Sequence, residues 1–133
     1  MYINRFIIIA TIVLFSACSQ GKAENNNIAV KNVSATEFAT IIRDGKGQLI
    51  DIRTPGEFNA GHIKGAKMID FYAPDFREKL AGLDKKQPVY VYCRSGNRSG
   101  QAVRILQGMG FKEVVNLQRG INDWVSSGLN LVK

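Results

Sequence analysis

The sequence predicts an α/β domain in which a parallel sheet of about five strands is covered by helices on both faces. Three observations predict it. Short apolar stretches alternate with helix-patterned ones in the order β-α-β-α-β-α-β-α-β-α, the pattern of a parallel sheet with crossover helices. The strand-like stretches are apolar throughout instead of alternating, as strands buried on both faces must be. Only the chain from Ile28 onward is patterned in this way, about 106 residues, which suits one domain.

The elements follow in order. Ile28–Val30 is a short apolar piece. Ser34-Ala35-Thr36-Glu37 is a capping box, opening a helix with Phe38, Ile41 and Ile42 on one face and ending at Gly45 and Gly47. Gln48–Ile52 is a strand. Thr54-Pro55-Gly56-Glu57 is a second capping box with Pro at the first helical position, and its helix stops at Gly61. Ala66–Ile69 is a strand and Pro74–Leu80 a helix ended near Gly82. Pro88–Tyr92 (PVYVY), with β-branched and aromatic residues in a row, is the strongest strand signal. Asn97–Met109 is the longest helix, with Ala102, Ile105, Leu106 and Met109 spaced for one buried face. Glu113–Leu117 is a strand, and Ile121–Val125 a short helix ended by Gly128. Ligands of such sheets bind beyond the carboxyl ends of the strands, so the site is expected just after Ile52 and just after Tyr92.

The start of the chain has a different character. Arg5 precedes an apolar run from Phe6 through Leu14 to Ala17. That run matches the core of an export signal and is shorter than the roughly 20 residues of a membrane-spanning helix. Phe15-Ser16-Ala17-Cys18 resembles a bacterial lipoprotein cleavage box, which makes residues 1–17 a signal peptide and Cys18 the lipidated first residue. Secretion with cleavage nearby, or a retained anchor, are the alternatives. Residues 18–27 then form a lipidated cysteine and a polar, flexible tether (SQGKAENNN), and 28–133 the domain. The expected location is the periplasm, with the chain anchored to a bacterial membrane.

Net charge is +7, and removing residues 1–17 takes away Arg5 and no acid, leaving one charge fewer. Nucleic acid is not the expected partner, because no basic cluster with interleaved aromatics occurs. A positive field that attracts small anions is the better reading. The two cysteines are Cys18 and Cys93. If Cys18 is acylated, Cys93 is a lone thiol in an oxidising compartment, either buried and inert or kept for its chemistry.

Cys93 follows the strongest strand and precedes the longest helix, in Cys93-Arg94-Ser95-Gly96-Asn97-Arg98-Ser99-Gly100. A helix start offers unpaired N–H groups, and Gly96 lets a loop turn its amides inward as an anion nest. A thiol of pKa ~8.5 is only about 3% ionised at neutral pH, and such surroundings raise that fraction. A helix terminus contributes at most ~2 kcal/mol, so loop amides and arginines are needed as well. Arg94 and Arg98 sit where a helix dipole disfavours cations. They make sense if an anion, or a carboxylate such as Asp51, lies between them.

The loop resembles the active-site loop of the rhodanese family, Cys-x-x-Gly-x-Arg-Ser/Thr. Asp51-Ile52-Arg53, Glu57-Phe58 and Gly61-His62-Ile63-Lys64-Gly65-Ala66 are similar to a second family pattern. Gly110-Phe111, Val115-Asn116-Leu117, Gly120 and Asp123-Trp124 are similar to a third, and together they cover Val30–Val132. Arg119 departs from the pattern, standing where the family often has the first of two glycines. The resemblance implies a rhodanese-like sulfurtransferase. Cys93 would be the nucleophile and carry a persulfide. Arg94, Ser95, Gly96, Asn97 and Arg98 would bind substrate, with Asp51 holding Arg98 or the loop and Arg53 supporting it. The partners would be a small anionic sulfur donor such as thiosulfate and a thiol or protein acceptor, with no metal or organic cofactor. His62, Glu57 and Trp124 read as structural. A persulfide carrier and a non-catalytic binding module are the alternatives. A cysteine phosphatase needs Cys-x5-Arg, which would put the arginine where Ser99 stands.

Cys18 gives the first prediction. Cells expressing the full chain and fed a labelled fatty acid should label the wild type, and Cys18→Ser should remove the label. Equal labelling of both would exclude acylation at that residue.

Overall fold

A computed structural model describes residues 27–133. The expected signal peptide, Cys18 and all of the tether but Asn27 lie outside the described residues. Ten elements alternate: β1 (Ala29–Val33), α1 (Ala35–Arg43), β2 (Gln48–Asp51), α2 (Pro55–Ala60), β3 (Lys67–Met68), α3 (Phe76–Ala81), β4 (Val89–Tyr92), α4 (Asn97–Gly108), β5 (Glu113–Leu117) and α5 (Gly120–Ser126). The five strands form one sheet in the order β1-β5-β4-β2-β3, and every pair is parallel.

β4 is the middle strand, and all four of its residues are buried. Val89 and Val91 pack with Ile50, Ile52, Phe76, Leu80, Ala102, Val103 and Leu106, so α3 and α4 cover that face. Tyr90 and Tyr92 point the other way, into a cluster with Ala35, Phe38, Leu117, Ile121 and Trp124 beneath α1 and α5. Two-sided burial is why the strand sequences carry no polar alternation.

Both capping boxes form. Ser34 Oγ accepts from the Glu37 amide while Glu37 accepts from Ser34, and Thr54 and Glu57 repeat the arrangement at α2. β1 runs beyond the expected Ile28–Val30 because it pairs with all of β5, from Ala29 opposite Glu113 to Val33 opposite Leu117. Its polar residues are tolerated at the sheet edge, where Lys31 meets Glu113 and Asn32 accepts from Asn116 Nδ2. α3 begins at Phe76 rather than Pro74. α4 turns Ser99, Ala102, Val103 and Leu106 fully inward, leaving Ile105 and Met109 half-buried at the margin.

Register fixes the site. Asp51, the last residue of β2, lies opposite Tyr92, the last of β4, so the chain after each strand emerges at one edge of the sheet.

Phe38 joins the elements of the second face. Its ring is fully buried and meets Tyr90, Tyr92 and Trp124 edge-on, at centroid distances of 6.4, 6.5 and 6.5 Å. Phe38→Ala should lower unfolding stability by about 3–5 kcal/mol, measured by urea denaturation. A loss below 1 kcal/mol would show that this face does not depend on the ring.

Candidate active site

The site is built on Cys93, the first residue after β4, and on the turn leading into α4. Gly96 is the residue before that helix, with φ +98 and ψ −11, and it offers no capping side chain. The unpaired amides at the helix start take the sulfur instead. Cys93 Sγ accepts from the Gly96 amide at 3.1 Å and from the Ser99 amide at 3.4 Å. The thiol S–H donates to Ser99 Oγ at 3.4 Å, while the Ser99 hydroxyl donates to the Gly96 carbonyl at 3.3 Å. When the thiol ionises, that hydroxyl can turn and donate to the sulfur. Cys93 Sγ is thus the cap acceptor of α4.

Cys93 is 1% exposed, and Ser99 is fully buried. Burial alone pushes the thiol up. Donors from the Ser99 hydroxyl and from the amides of Ser99, Gly96 and Ser95 outweigh it, and the thiol lies below its ordinary range. The amides hydrogen-bonded to Sγ are those of Gly96 and Ser99. Amides bond to a sulfur only if they point at it, and the turn at Gly96 followed by the first helical residues aims these two.

Two contacts hold the turn open. The carbonyls of Cys93 and Arg94 accept from the amides of Ile121 and Asn122 at 2.9 and 3.2 Å, so they face α5 and away from the sulfur. This needs close backbone approach. A Cβ on Gly96 would run into the Gln118 carbonyl, and one on Gly120 (φ +65) into the Cys93 and Arg94 carbonyls.

The arginines divide. Arg98 forms a two-pronged ion pair with Glu57, Nη1 to Oε2 at 2.9 Å and Nη2 to Oε1 at 2.8 Å. It also lies 5.6 Å from the centre of the exposed Tyr72 ring. The hydrogen bonds from Arg98, against a burial cost and with help from Thr54, hold the Glu57 carboxyl down at about 2, so it is ionised at any ordinary pH. Arg94 is exposed, as are Ser95 and Asn97.

Of the two expectations for Asp51, Arg98 or the loop, the first is corrected: Asp51 pairs with Arg53 and not with Arg98. Asp51 is fully buried, and its two oxygens take the amide, Nε and Nη2 of Arg53 at 2.7–3.1 Å. Arg53 Nη2 also donates to the Gly61 carbonyl at 2.7 Å, clamping the chain after β2. Breaking such a buried pair costs about 3–5 kcal/mol because it strands one charge. Glu57 reaches Arg98 because the first turn of α2 carries it there from outside the sheet. Sequence reasoning took it for a cap alone, and it does both jobs.

Ser99 was legible in the sequence only as part of the loop pattern. Its role as hydroxyl and amide donor to Sγ follows from its place as the third residue of α4. His62 stacks on Phe58 at 3.8 Å with Nδ1 3.1 Å from the Phe58 carbonyl, and Trp124 Nε1 donates to the Asn130 carbonyl. Both serve the fold.

In a chain whose Cys18 is replaced by Ser, the ultraviolet thiolate absorbance of Cys93 should titrate below the ~8.5 of a free thiol. Ser99→Ala should move the midpoint up, toward less thiolate at neutral pH. A midpoint unmoved by that change would remove the hydroxyl from the set of donors that matter.

Comparison with known proteins agrees with this geometry. The family model of the rhodanese-like domain matches residues 34–127. The uncharacterized protein YqhL of Bacillus subtilis is 40% identical over 95 residues, covering 71% of this chain and 72% of that protein. The thiosulfate sulfurtransferase GlpE of Pseudomonas aeruginosa is 37% identical over 93 residues, covering 69% and 82%. The crystal structure of a rhodanese-related protein from Thermoplasma volcanium superposes with a TM-score of 0.68 at 28% identity, over 77% of this chain and 97% of that one. By fold, by loop and by likeness to relatives named as sulfurtransferases, the chain belongs to the rhodanese-like domain family.

Proposed function

We propose that this protein is a sulfurtransferase that moves sulfane sulfur from thiosulfate or a similar anionic donor to a thiophilic acceptor through a persulfide on Cys93. The observation that carries the reading is the sulfur of Cys93, buried at the start of α4 and accepting hydrogen bonds from the Gly96 and Ser99 amides. Burial without donors would give an inert thiol. Donors without burial would be screened by water.

Two steps follow. The Cys93 thiolate attacks the outer sulfur of the donor. A new S–S bond forms, the donor's S–S bond breaks, and its electron pair leaves with sulfite. The outer sulfur now carries the negative charge, next to the donors that favoured the thiolate. The amides of Ser95, Gly96 and Ser99 stabilise it as an oxyanion hole stabilises an alkoxide. An acceptor nucleophile then attacks the outer sulfur, the Cys93–sulfur bond breaks, and its electron pair returns to Sγ as the thiolate. With cyanide the product is thiocyanate.

Arg94, at the exposed rim, draws the anionic donor. Arg98, tied to Glu57, positions the first turn of α4 and supplies field more than a free binding arm. Export and anchoring through Cys18 are part of the same proposal, supported by the residues before Asn27.

The test is direct. The domain should form thiocyanate from thiosulfate and cyanide, and donor treatment should add the mass of one sulfur to the peptide containing Cys93. Cys93→Ser keeps a cap acceptor at the start of α4 and should lose both signals with unfolding stability retained. Equal rates for wild type and Cys93→Ser would overturn the proposal.

A further inference from the structure

Tyr72 is 68% exposed, more than any other large hydrophobic residue among those described. Burial therefore does not explain its place. The connection after β3 puts it there. The Ile69 amide donates to the Asp51 carbonyl at 2.9 Å and the Phe71 amide to the Ile52 carbonyl at 3.1 Å, so this segment follows β2 past its end. The Tyr72 amide donates to Asp70 Oδ1 at 2.9 Å, the bond of an Asx turn. Phe71 packs against the core and meets Phe76 edge-on at 5.1 Å, and Tyr72 stands edge-on to Phe71 at 5.4 Å. The backbone under the ring is thus fixed. It carries the ring to the first turn of α4, where Arg98 Cζ lies over it, 5.6 Å from its centre.

Arg98 is then held twice. Glu57 takes its Nη1 and Nη2 at 2.9 and 2.8 Å, and the Tyr72 ring lies under the cation. An aromatic face attracts a cation, an effect worth about two- to fivefold in an equilibrium at an exposed site. In the chain Arg98 stands between Gly96 and Ser99, whose amides bond to Sγ at 3.1 and 3.4 Å. The Gly100 amide closes the same turn on the Gly96 carbonyl at 2.9 Å. Whatever holds Arg98 therefore holds the turn that aims those two amides. α5 fixes that turn through the Cys93 and Arg94 carbonyls, and α2 fixes it through Glu57. Tyr72 is a third tie, from the connection between β3 and α3.

We infer that Tyr72 is a positioning residue for sulfur transfer: its ring holds Arg98, and through the first turn of α4 it keeps the Gly96 and Ser99 amides on the Cys93 sulfur. It acts through Arg98 and not on the reacting atoms. The inference rests on the transfer reading above and adds to it a residue from outside the loop. The charges packed about the loop are Arg94 on the loop itself, Arg98 with Glu57 from α2, and Asp51 with Arg53 after β2. Of these, Arg98 is the cation that meets Tyr72. The role asks for an aromatic face, so Phe can fill it and Leu cannot. Without the ring the turn is looser, and its amides make poorer hydrogen bonds to the sulfur. Cys93 is 1% exposed, so water does not replace them, and the thiolate is disfavoured.

The test reads ionisation and transfer separately, in the chain whose Cys18 is replaced by Ser. The carbon-13 shift of Cys93 Cβ is followed against pH in that parent, in Tyr72→Phe and in Tyr72→Leu. Tyr72→Leu should raise the thiolate midpoint by about half a pH unit, a roughly threefold loss of thiolate at any pH below it. Tyr72→Phe should keep the parent midpoint. The second readout is kcat/KM for thiosulfate with cyanide as acceptor, which reports the free enzyme. In Tyr72→Leu it should be about threefold low below the midpoint and should converge on the parent above both midpoints, where each thiol is fully ionised. Unfolding in urea should be the same for all three chains. An unmoved midpoint in Tyr72→Leu would overturn the inference. So would a rate loss equal at every pH, which marks direct contact with substrate, or a loss of unfolding stability that accounts for the shift. Failure of Cys93 to take up sulfur would overturn the transfer reading instead, and the carbon-13 titration would still report on Tyr72.

Discussion

The site depends on a contest at one atom. Burial removes water from the sulfur of Cys93 and thereby disfavours its charge, and a few donors aimed at that atom reverse the outcome. A free thiol at neutral pH is about 3% ionised, so a modest net gain changes the dominant species. Helix α4 supplies the gain because its first amides have no other partner. The chain leaves the cap position to a glycine, which has no side chain to compete, and the sulfur fills the vacancy. Stabilising the thiolate and capping the helix are then one interaction, so the fold of α4 and the ionisation of Cys93 are coupled.

That interaction requires carbonyls to be kept away from the sulfur, and α5 does this from a distance in sequence. Ile121 and Asn122 donate to the Cys93 and Arg94 carbonyls, and the approach is close enough that a side chain at Gly96 or Gly120 would collide with backbone. Two glycines more than twenty residues apart therefore serve a single packing event. The buried pair of Asp51 and Arg53 fixes the other wall by clamping the chain after β2 to the Gly61 carbonyl.

Much of this was legible in the sequence, and the reasons are local. The apolar run at Val89–Tyr92, the two capping boxes and the spacing in α4 report interactions within a few residues, so their elements sit where periodicity puts them. Cys93 was legible for the same reason, since a strand end, a glycine turn and a helix start are adjacent in the chain. What was not legible is pairing across the sheet. Arg98 has two acids within reach of a sequence argument, Asp51 and Glu57, and only the sheet register and the course of α2 decide between them. Asp51 is consumed by a residue two positions away. Glu57 already had a role as a cap, which hid its second one. The polar residues of β1 concealed an edge strand for a similar reason, because an edge tolerates Lys31 and Asn32 that a central strand would not.

The pairing of Arg98 also bears on which anions the loop suits. A phosphate cradle asks its arginine to face the ligand with a free two-pronged donor face. Here that face is spent on Glu57, at 2.8 and 2.9 Å, and the carboxylate stays ionised down to about pH 2. The loop is thus left with amide and hydroxyl donors around one atom and with a cation whose charge is largely matched. Such a set suits a single negative charge on a single sulfur better than the several charged oxygens of a phosphate. The one-residue difference between this loop and a phosphatase loop has the same meaning when read through the ion pair. The arginine comes early in the helix, where it turns outward to α2, and the position that would have faced a phosphate is Ser99, whose hydroxyl and amide face the sulfur.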